Sequence, residues 1–288
     1  MAGKSERQRR IAREKYRRQQ ELRMARRRQQ RKRGVIALSV ILGAALIVSL
    51  LVVYVVGGSQ HPSASASKSA SATPSATTVA EPAHHCTYTK AGTAARAVSL
   101  PSASPDYTAS YQATITTNLG KIAVNLENSK ATCTVNSFVH LAEAGYFNNT
   151  QCHRLLTSGI YVLQCGDPYA TASTKLTCSS TSKIGTGIPG YEFASENLTG
   201  AKYPAGTVAM ANEGSATTNG SQFFIVYKDS TSGLGATYTP FGTVSSGLGI
   251  VQNVAKDGYS CQYTVSGQSE GGAPKEKVII DSVTIKKT

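Results

Sequence analysis

The sequence predicts a mainly β domain, a barrel or sandwich of short strands, held outside a membrane by one N-terminal span. Three observations carry this. Residues 35–56 are an uncharged apolar run, a Ser/Ala/Thr/Pro tract follows it, and beyond that short apolar runs alternate with Gly-rich connections. Many short strands with few helical periods point to a barrel or sandwich.

The N-terminal region comes first. Residues 1–33 hold fifteen Lys or Arg against Glu6, Glu14 and Glu21, so this tail carries +12 of the chain's +14. The rest of the chain is close to neutral, which gives no support to a nucleic-acid surface on the main domain. Nucleic acid is therefore not an expected partner. Residues 35–56, VIALSVILGAALIVSLLVVYVV, follow Arg31-Lys32-Arg33 directly. At 1.5 Å per residue they reach about 33 Å, enough to cross the hydrocarbon core. A cleaved signal would have a shorter apolar core of about 7–15 residues. The excess of positive charge before the span puts residues 1–34 in the cytoplasm and the C-terminal part outside the cell membrane. The tail has no apolar face, and anionic lipid headgroups of the inner leaflet are its expected partner.

Residues 57–110 are assigned to a linker. SASASKSASATPSATT cannot bury enough apolar area to offset its ordering entropy, so this stretch is expected to be a disordered tether. Cys86 suggests that its last part is stapled to the domain. All six cysteines (Cys86, Cys133, Cys152, Cys165, Cys178 and Cys261) lie beyond the span, as suits an oxidising compartment. At least one disulfide is expected, and fifteen pairings remain open.

The packed domain is assigned to residues 111–288. YQATITTNLGKIAVNL alternates around Asn118-Leu119-Gly120 with Ile122, Val124 and Leu126 on one face, the pattern of a β-hairpin. In Cys133–Gly145, Val135, Phe138, Val139 and Ala142 fall at i, i+3, i+4 and i+7, an amphipathic helix stopped by Gly145. Further strands are expected at Ile160–Leu163, Val208–Ala211, Phe223–Tyr227, Phe241–Val244 and Val278–Ile285.

Common catalytic signatures are missing. There is no GxSxG, no HExxH and no phosphate-binding lysine loop, and the cysteines and histidines lack zinc-ligand spacing. No metal or cofactor is expected. Gly185-x-Gly187-x-x-Gly190 matches GxGxxG, but Pro189 and Tyr191-Glu192-Phe193 open no helix, so these are read as loop glycines.

Two segments stand apart: residues 152–167, CHRLLTSGIYVLQCGD, and residues 208–226, VAMANEGSATTNGSQFFIV. They resemble the two signature stretches of the cyclophilin family of peptidyl-prolyl isomerases. Leu234-Gly-Ala-Thr-Tyr238-Thr-Pro-Phe241 is similar to the family's pocket-lining loop, and the likeness runs in order over roughly residues 111–286. It is greatest to exported bacterial members. The resemblance implies a closed eight-stranded antiparallel barrel capped by two helices, with a proline-binding groove on its outer surface. Carried over by motif position, Arg154 is the implied catalytic residue. Tyr161, Val162, Gln164, Ala211, Asn212, Gln222, Phe224, Leu234 and Tyr238 are the implied groove. His153 is read as a structural, hydrogen-bonded histidine.

Those residue types suit the reaction. Amide resonance sets a barrier of about 18–20 kcal/mol to rotation about an X–Pro bond. Lowering it needs no covalent step, only preference for the twisted amide over both planar forms. Tyr161, Val162, Phe224 and Leu234 offer an apolar seat. The guanidinium of Arg154 can hold the prolyl carbonyl and approach the amide nitrogen, whose lone pair localises as resonance breaks. Gln164, Asn212 and Gln222 can bond the peptide backbone or orient the guanidinium.

Some residues depart from the family pattern. Gly233 stands where many members carry a Trp, Tyr238 where a His is common, and Gly214–Asn219 is one residue longer. The leading expectation is an isomerase acting on proline-containing exported or envelope polypeptides. The departures keep a second class open, a proline-peptide-binding chaperone or scaffold with little turnover. A third makes the basic tail the active part.

Overall fold

A computed structural model describes residues 85–178, 182–265 and 268–288. The basic tail, the apolar run at 35–56 and the linker as far as residue 84 lie outside the described residues. Among the described residues no helix is long and apolar enough to cross a membrane.

Alternation builds the first hairpin. Strand β2 (Tyr111–Thr117) and β3 (Gly120–Leu126) pair antiparallel from Tyr111 opposite Leu126 to Thr117 opposite Gly120. Ala113, Ile115, Ile122, Val124 and Leu126 turn into the core. At the turn, Thr117 Oγ1 donates to Gly120 O at 2.7 Å and accepts from Leu119 N at 3.1 Å. Helix α1 (Thr132–Glu143) buries Val135, Phe138, Leu141 and Ala142, while Val139 is only partly covered. Ala131 before it has no capping side chain. The Glu196 carboxylate serves instead, accepting from Cys133 N at 3.1 Å and Thr134 N at 2.7 Å. That negative charge also suits the positive end of the helix. Gly145, at φ +66°, lets the chain leave.

The remaining elements follow in order. They are β4 (Thr150–Gln151), β5 (Arg154–Ser158), β6 (Ile160–Cys165), β7 (Tyr191–Glu192), β8 (Thr207–Met210), β9 (Phe223–Val226) and β10 (Pro240–Ser246). Helix α2 (Leu248–Asp257) then precedes β11 (Tyr259–Val265), β12 (Gln268–Pro274) and β13 (Ile279–Lys287). The main sheet runs β11-β12-β5-β6-β9-β8-β10-β3-β2-β13-β4, with antiparallel neighbours throughout.

This corrects the closed eight-stranded barrel. Among the described residues the sheet has eleven strands, and its ladder ends at β11 and β4. The physical reason lies at Cys152-His153, between β4 and β5, where the chain changes partner. Cys152 N donates to Val278 O at 2.9 Å and His153 N to Gln164 O at 3.0 Å, so one stretch serves opposite regions of the ladder without a continuous strand. The two helices are as expected.

The central strands β9 and β8 are buried on both faces, and β6 is buried at Val162, Leu163 and Cys165. Leu163, Cys165, Phe223, Ile225, Val208 and Met210 face the main core, and Val162, Phe224, Val226 and Ala209 face a second apolar cluster. Phe138 of α1 meets Phe147, Phe223 and Phe241 at ring-centroid distances of 5.2, 5.5 and 5.2 Å.

The linker boundary at residue 110 also moves. Residues 85–110 are ordered against the domain. β1 (Thr89–Lys90) pairs with β7, and Tyr88 Oη donates to Cys133 O at 2.7 Å. All six cysteines are paired, as Cys86–Cys133, Cys152–Cys165 and Cys178–Cys261.

Candidate functional site

The second apolar cluster floors a cavity of about 80 Å³ on the outer face of β5, β6 and β9. Alternation decides what it contains. On β5, Arg154 and Leu156 share the outer face. On β6, Val162 and Gln164 share it. Phe224 of β9 lies beside Gln164 in register, with Ala209 of β8 on its other side. Leu234, Ala211, Asn212 and Tyr238 come from connections and complete the wall. The Phe224 and Tyr238 rings meet edge to face, 5.5 Å apart at 82°, which fixes both sides of the seat.

A chain of hydrogen bonds leads away from the cation. Arg154 Nη1 donates to Gln164 Oε1 at 3.3 Å, and Gln164 Nε2 donates to Gln222 Oε1 at 2.9 Å. Gln222 Nε2 then donates to Gly185 O at 3.0 Å and Gly187 O at 3.1 Å. Asn212 Nδ2 donates to Thr237 O at 2.8 Å, tying the Asn212 loop to the loop that carries Tyr238. A neighbouring cavity of about 190 Å³ shares Arg154, Gln164, Ala211 and Asn212, and adds Gln222, Glu213 and the glycine loop.

The GxGxxG match is a loop wrapped on a buried carboxylate. Asp167 accepts from Tyr169 N at 2.8 Å and from Gly185 N, and burial raises its pKa against the pull of these donors. A Cβ on Gly187 would overlap Asp167 Oδ1, so only glycine fits there.

Of the residues drawn from sequence, Arg154, Val162, Gln164, Ala211, Asn212, Phe224, Leu234 and Tyr238 meet around the smaller cavity. Gln222 lines the larger one and backs Gln164. Tyr161 does not line the smaller cavity. It sits one residue off the outward phase of β6, with its ring against Tyr227 at 6.0 Å and beneath Lys228 Nζ at 4.4 Å. Ile160 and Leu156 hold the apolar wall instead. The period of two from Arg154 could have found Leu156. Ile160 shares the outward parity of Val162 and Gln164 on β6, so the same period reaches it, and the tip at Gly159, φ +73°, lies against Gly233. A Cβ on Gly233 would overlap Gly159 O and lie 2.6 Å from Ile160 Cγ2.

His153 is buried, but the expected hydrogen bonds are not made. Neither ring nitrogen has a partner among the described residues. Burial first, and the Arg154 charge second, push its pKa down to about 3. It is neutral at ordinary pH. Among the described residues no group of acids, histidines and cysteines could hold a metal ion.

Comparison with known proteins gives the same picture. The family described as "Cyclophilin type peptidyl-prolyl cis-trans isomerase/CLD" matches residues 112–285. A Mycobacterium leprae protein named "Probable peptidyl-prolyl cis-trans isomerase B" is 40% identical over 218 residues, which cover 70% of this chain and 66% of that protein. A protein of the same name from Mycobacterium tuberculosis is 42% identical over 195 residues, covering 63% of this chain and 56% of that protein. The chain thus spans less than two thirds of these relatives' lengths. A crystal structure of a cyclophilin-type peptidyl-prolyl cis-trans isomerase from Cryptosporidium parvum aligns with a TM-score of 0.50 at 25% identity, over 62% of this chain and 99% of that one. The family match runs from the second residue of β2 to within two residues of the end of β13 and takes in every residue of the groove, and by it the chain belongs to the cyclophilin-type peptidyl-prolyl cis-trans isomerase family.

Proposed function

We propose that the domain is a peptidyl-prolyl cis-trans isomerase that accelerates X–Pro rotation in exported or cell-envelope polypeptides. One observation carries the reading: Arg154, steadied by Gln164, stands over an apolar seat of Phe224, Val162 and Leu234 in a single cavity. The proline ring occupies the seat, and the guanidinium holds the prolyl carbonyl and meets the lone pair that appears on the amide nitrogen as resonance is lost. A planar fork of donors suits two adjacent atoms better than a point charge does.

The test is a protease-coupled proline isomerisation assay. Arg154→Ala is expected to lower kcat/KM roughly 100-fold, the scale for one transition-state donor, and Arg154→Lys to recover little. If wild type and Arg154→Ala both match the uncatalysed rate, the domain is a proline-peptide-binding scaffold.

Residues 35–56 are proposed as the anchor, with residues 1–34 on the cytoplasmic side against anionic headgroups and the isomerase domain outside. An alkaline phosphatase fusion after Thr288 is expected to be active. An inactive fusion, with an active cytoplasmic reporter at the same place, reverses the topology. Loss of a nucleic-acid crosslink on deleting residues 2–30 would move attention to the tail.

A further inference from the structure

Residues 86–96 lie outside the stretch matched by the family, yet they hold the loop on which the Arg154 hydrogen-bond chain ends. β1 pairs with β7, Thr89 opposite Glu192 and Lys90 opposite Tyr191. Upstream along the same loop, Gly190 O accepts from Ala91 N at 3.0 Å and Ile188 O from Ala95 N at 2.9 Å. The backbones are close enough that a Cβ on Gly190 would lie 3.1 Å from Ala94 Cβ. Both ends of this strap are tied down. Cys86 is bonded to Cys133 of α1, and Arg96 Nη1 donates to the carbonyls of Gly145, Tyr146 and Asn148 at 3.1, 2.7 and 2.9 Å.

We infer that residues 86–96 are a positioning element for Arg154, acting through the Gly185–Gly190 loop, Gln222 and Gln164. A glutamine amide donates from one end and accepts at the other. Gln222 Nε2 is committed to the carbonyls of Gly185 and Gly187, so its Oε1 faces Gln164. Gln164 must then donate towards Gln222 and present its Oε1 to the guanidinium. The polarity of the whole chain is set by where the two loop carbonyls sit. Without them either amide can turn over and offer an NH₂ to Arg154, a donor against a donor. The strap holds the same loop at Ile188 and Gly190, next to the two carbonyls that Gln222 uses.

The inference rests on the isomerase reading, and its test separates the two. In the full chain, Arg96→Ala and the pair Cys86→Ser/Cys133→Ser each loosen one end of the strap. Each variant is expected to speed hydrogen exchange at the Ala95 amide and to shift the side-chain amide resonances of Gln164 and Gln222. We expect kcat to fall roughly tenfold, the scale of a small misplacement, with KM changed less than twofold and Arg96→Lys recovering part of the loss. Faster exchange at Ala95 with unchanged kcat and unchanged glutamine resonances overturns the inference. If the unsubstituted chain has no isomerase activity, the isomerase reading fails on its own, and the resonances alone decide the positioning. Shifted signals support it and unshifted ones sink it. Should Arg96→Ala not fold, the cysteine pair, which leaves the strap's hydrogen bonds in place, carries the same test.

Discussion

His153 precedes the arginine and pulls stability in a direction that can be measured. Its folded pKa, about 3, lies below the ordinary value of 6.5. Between those values the unfolded chain binds one more proton than the folded one, so stability rises with pH across that window and is lost as pH falls. The expected slope from this residue is about 1.4 kcal/mol per pH unit. Denaturant midpoints between pH 4 and 6 check it, with His153→Gln flattening the slope. An equal slope in both proteins would remove His153 as the cause. Arg154, Gln164 and Phe224 could be grouped from motifs that name positions, and they stand side by side in adjacent strands. Tyr161 could not be placed from its motif, because a motif does not give the phase of a strand. Its neighbour Val162 faces outward, and Tyr161 therefore faces the main core.

Elements show where local sequence is decisive and where distant residues take over. The β2–β3 hairpin and helix α1 could be read from their periods. The capping of α1 could not, because Glu196 comes from 62 residues beyond Thr134. Glu196→Ala is expected to leave the first-turn N–H groups of Cys133 and Thr134 unpaired and to cost about 1–2 kcal/mol, seen as a lower denaturant midpoint with an unchanged slope. Helix α2 carries a readable period, with Leu248, Val251 and Ala255 at i, i+3 and i+7 packed on the main core, but Gly247 and Gly249 at its start look like the Gly-rich connections around it. Contact between two turns matters as much. Gly233 sits under the β5–β6 tip, and Gly233→Ala is expected to destabilise by about 1–3 kcal/mol through overpacking. A neutral result would mean that the tip yields freely, and the groove wall with it.

For the whole molecule, the three disulfides link positions 13, 47 and 83 residues apart. Chain entropy predicts that removing Cys178–Cys261 costs about 4.5 kcal/mol and removing Cys152–Cys165 about 3. Serine pairs and denaturant titration give the order. The reverse order would show that residual structure in the unfolded chain outweighs loop length. That all six cysteines pair fits their confinement to one side of the apolar run, but the pairing itself depends on three-dimensional proximity that spacing does not carry. The same holds for the strap over the domain, since low hydrophobicity in residues 86–104 gave little sign that backbone bonds and one covalent link would order them. Strands β9 and β8, apolar on both sides, have a further consequence. A side chain there cannot be altered for the sake of ligand choice without disturbing the core neighbours that hold the sheet. If the groove takes prolyl peptides as proposed, drift in its preference should gather in the segments around Glu213 and Gly235 and at the Gly159 tip, while the strands beneath them hold still.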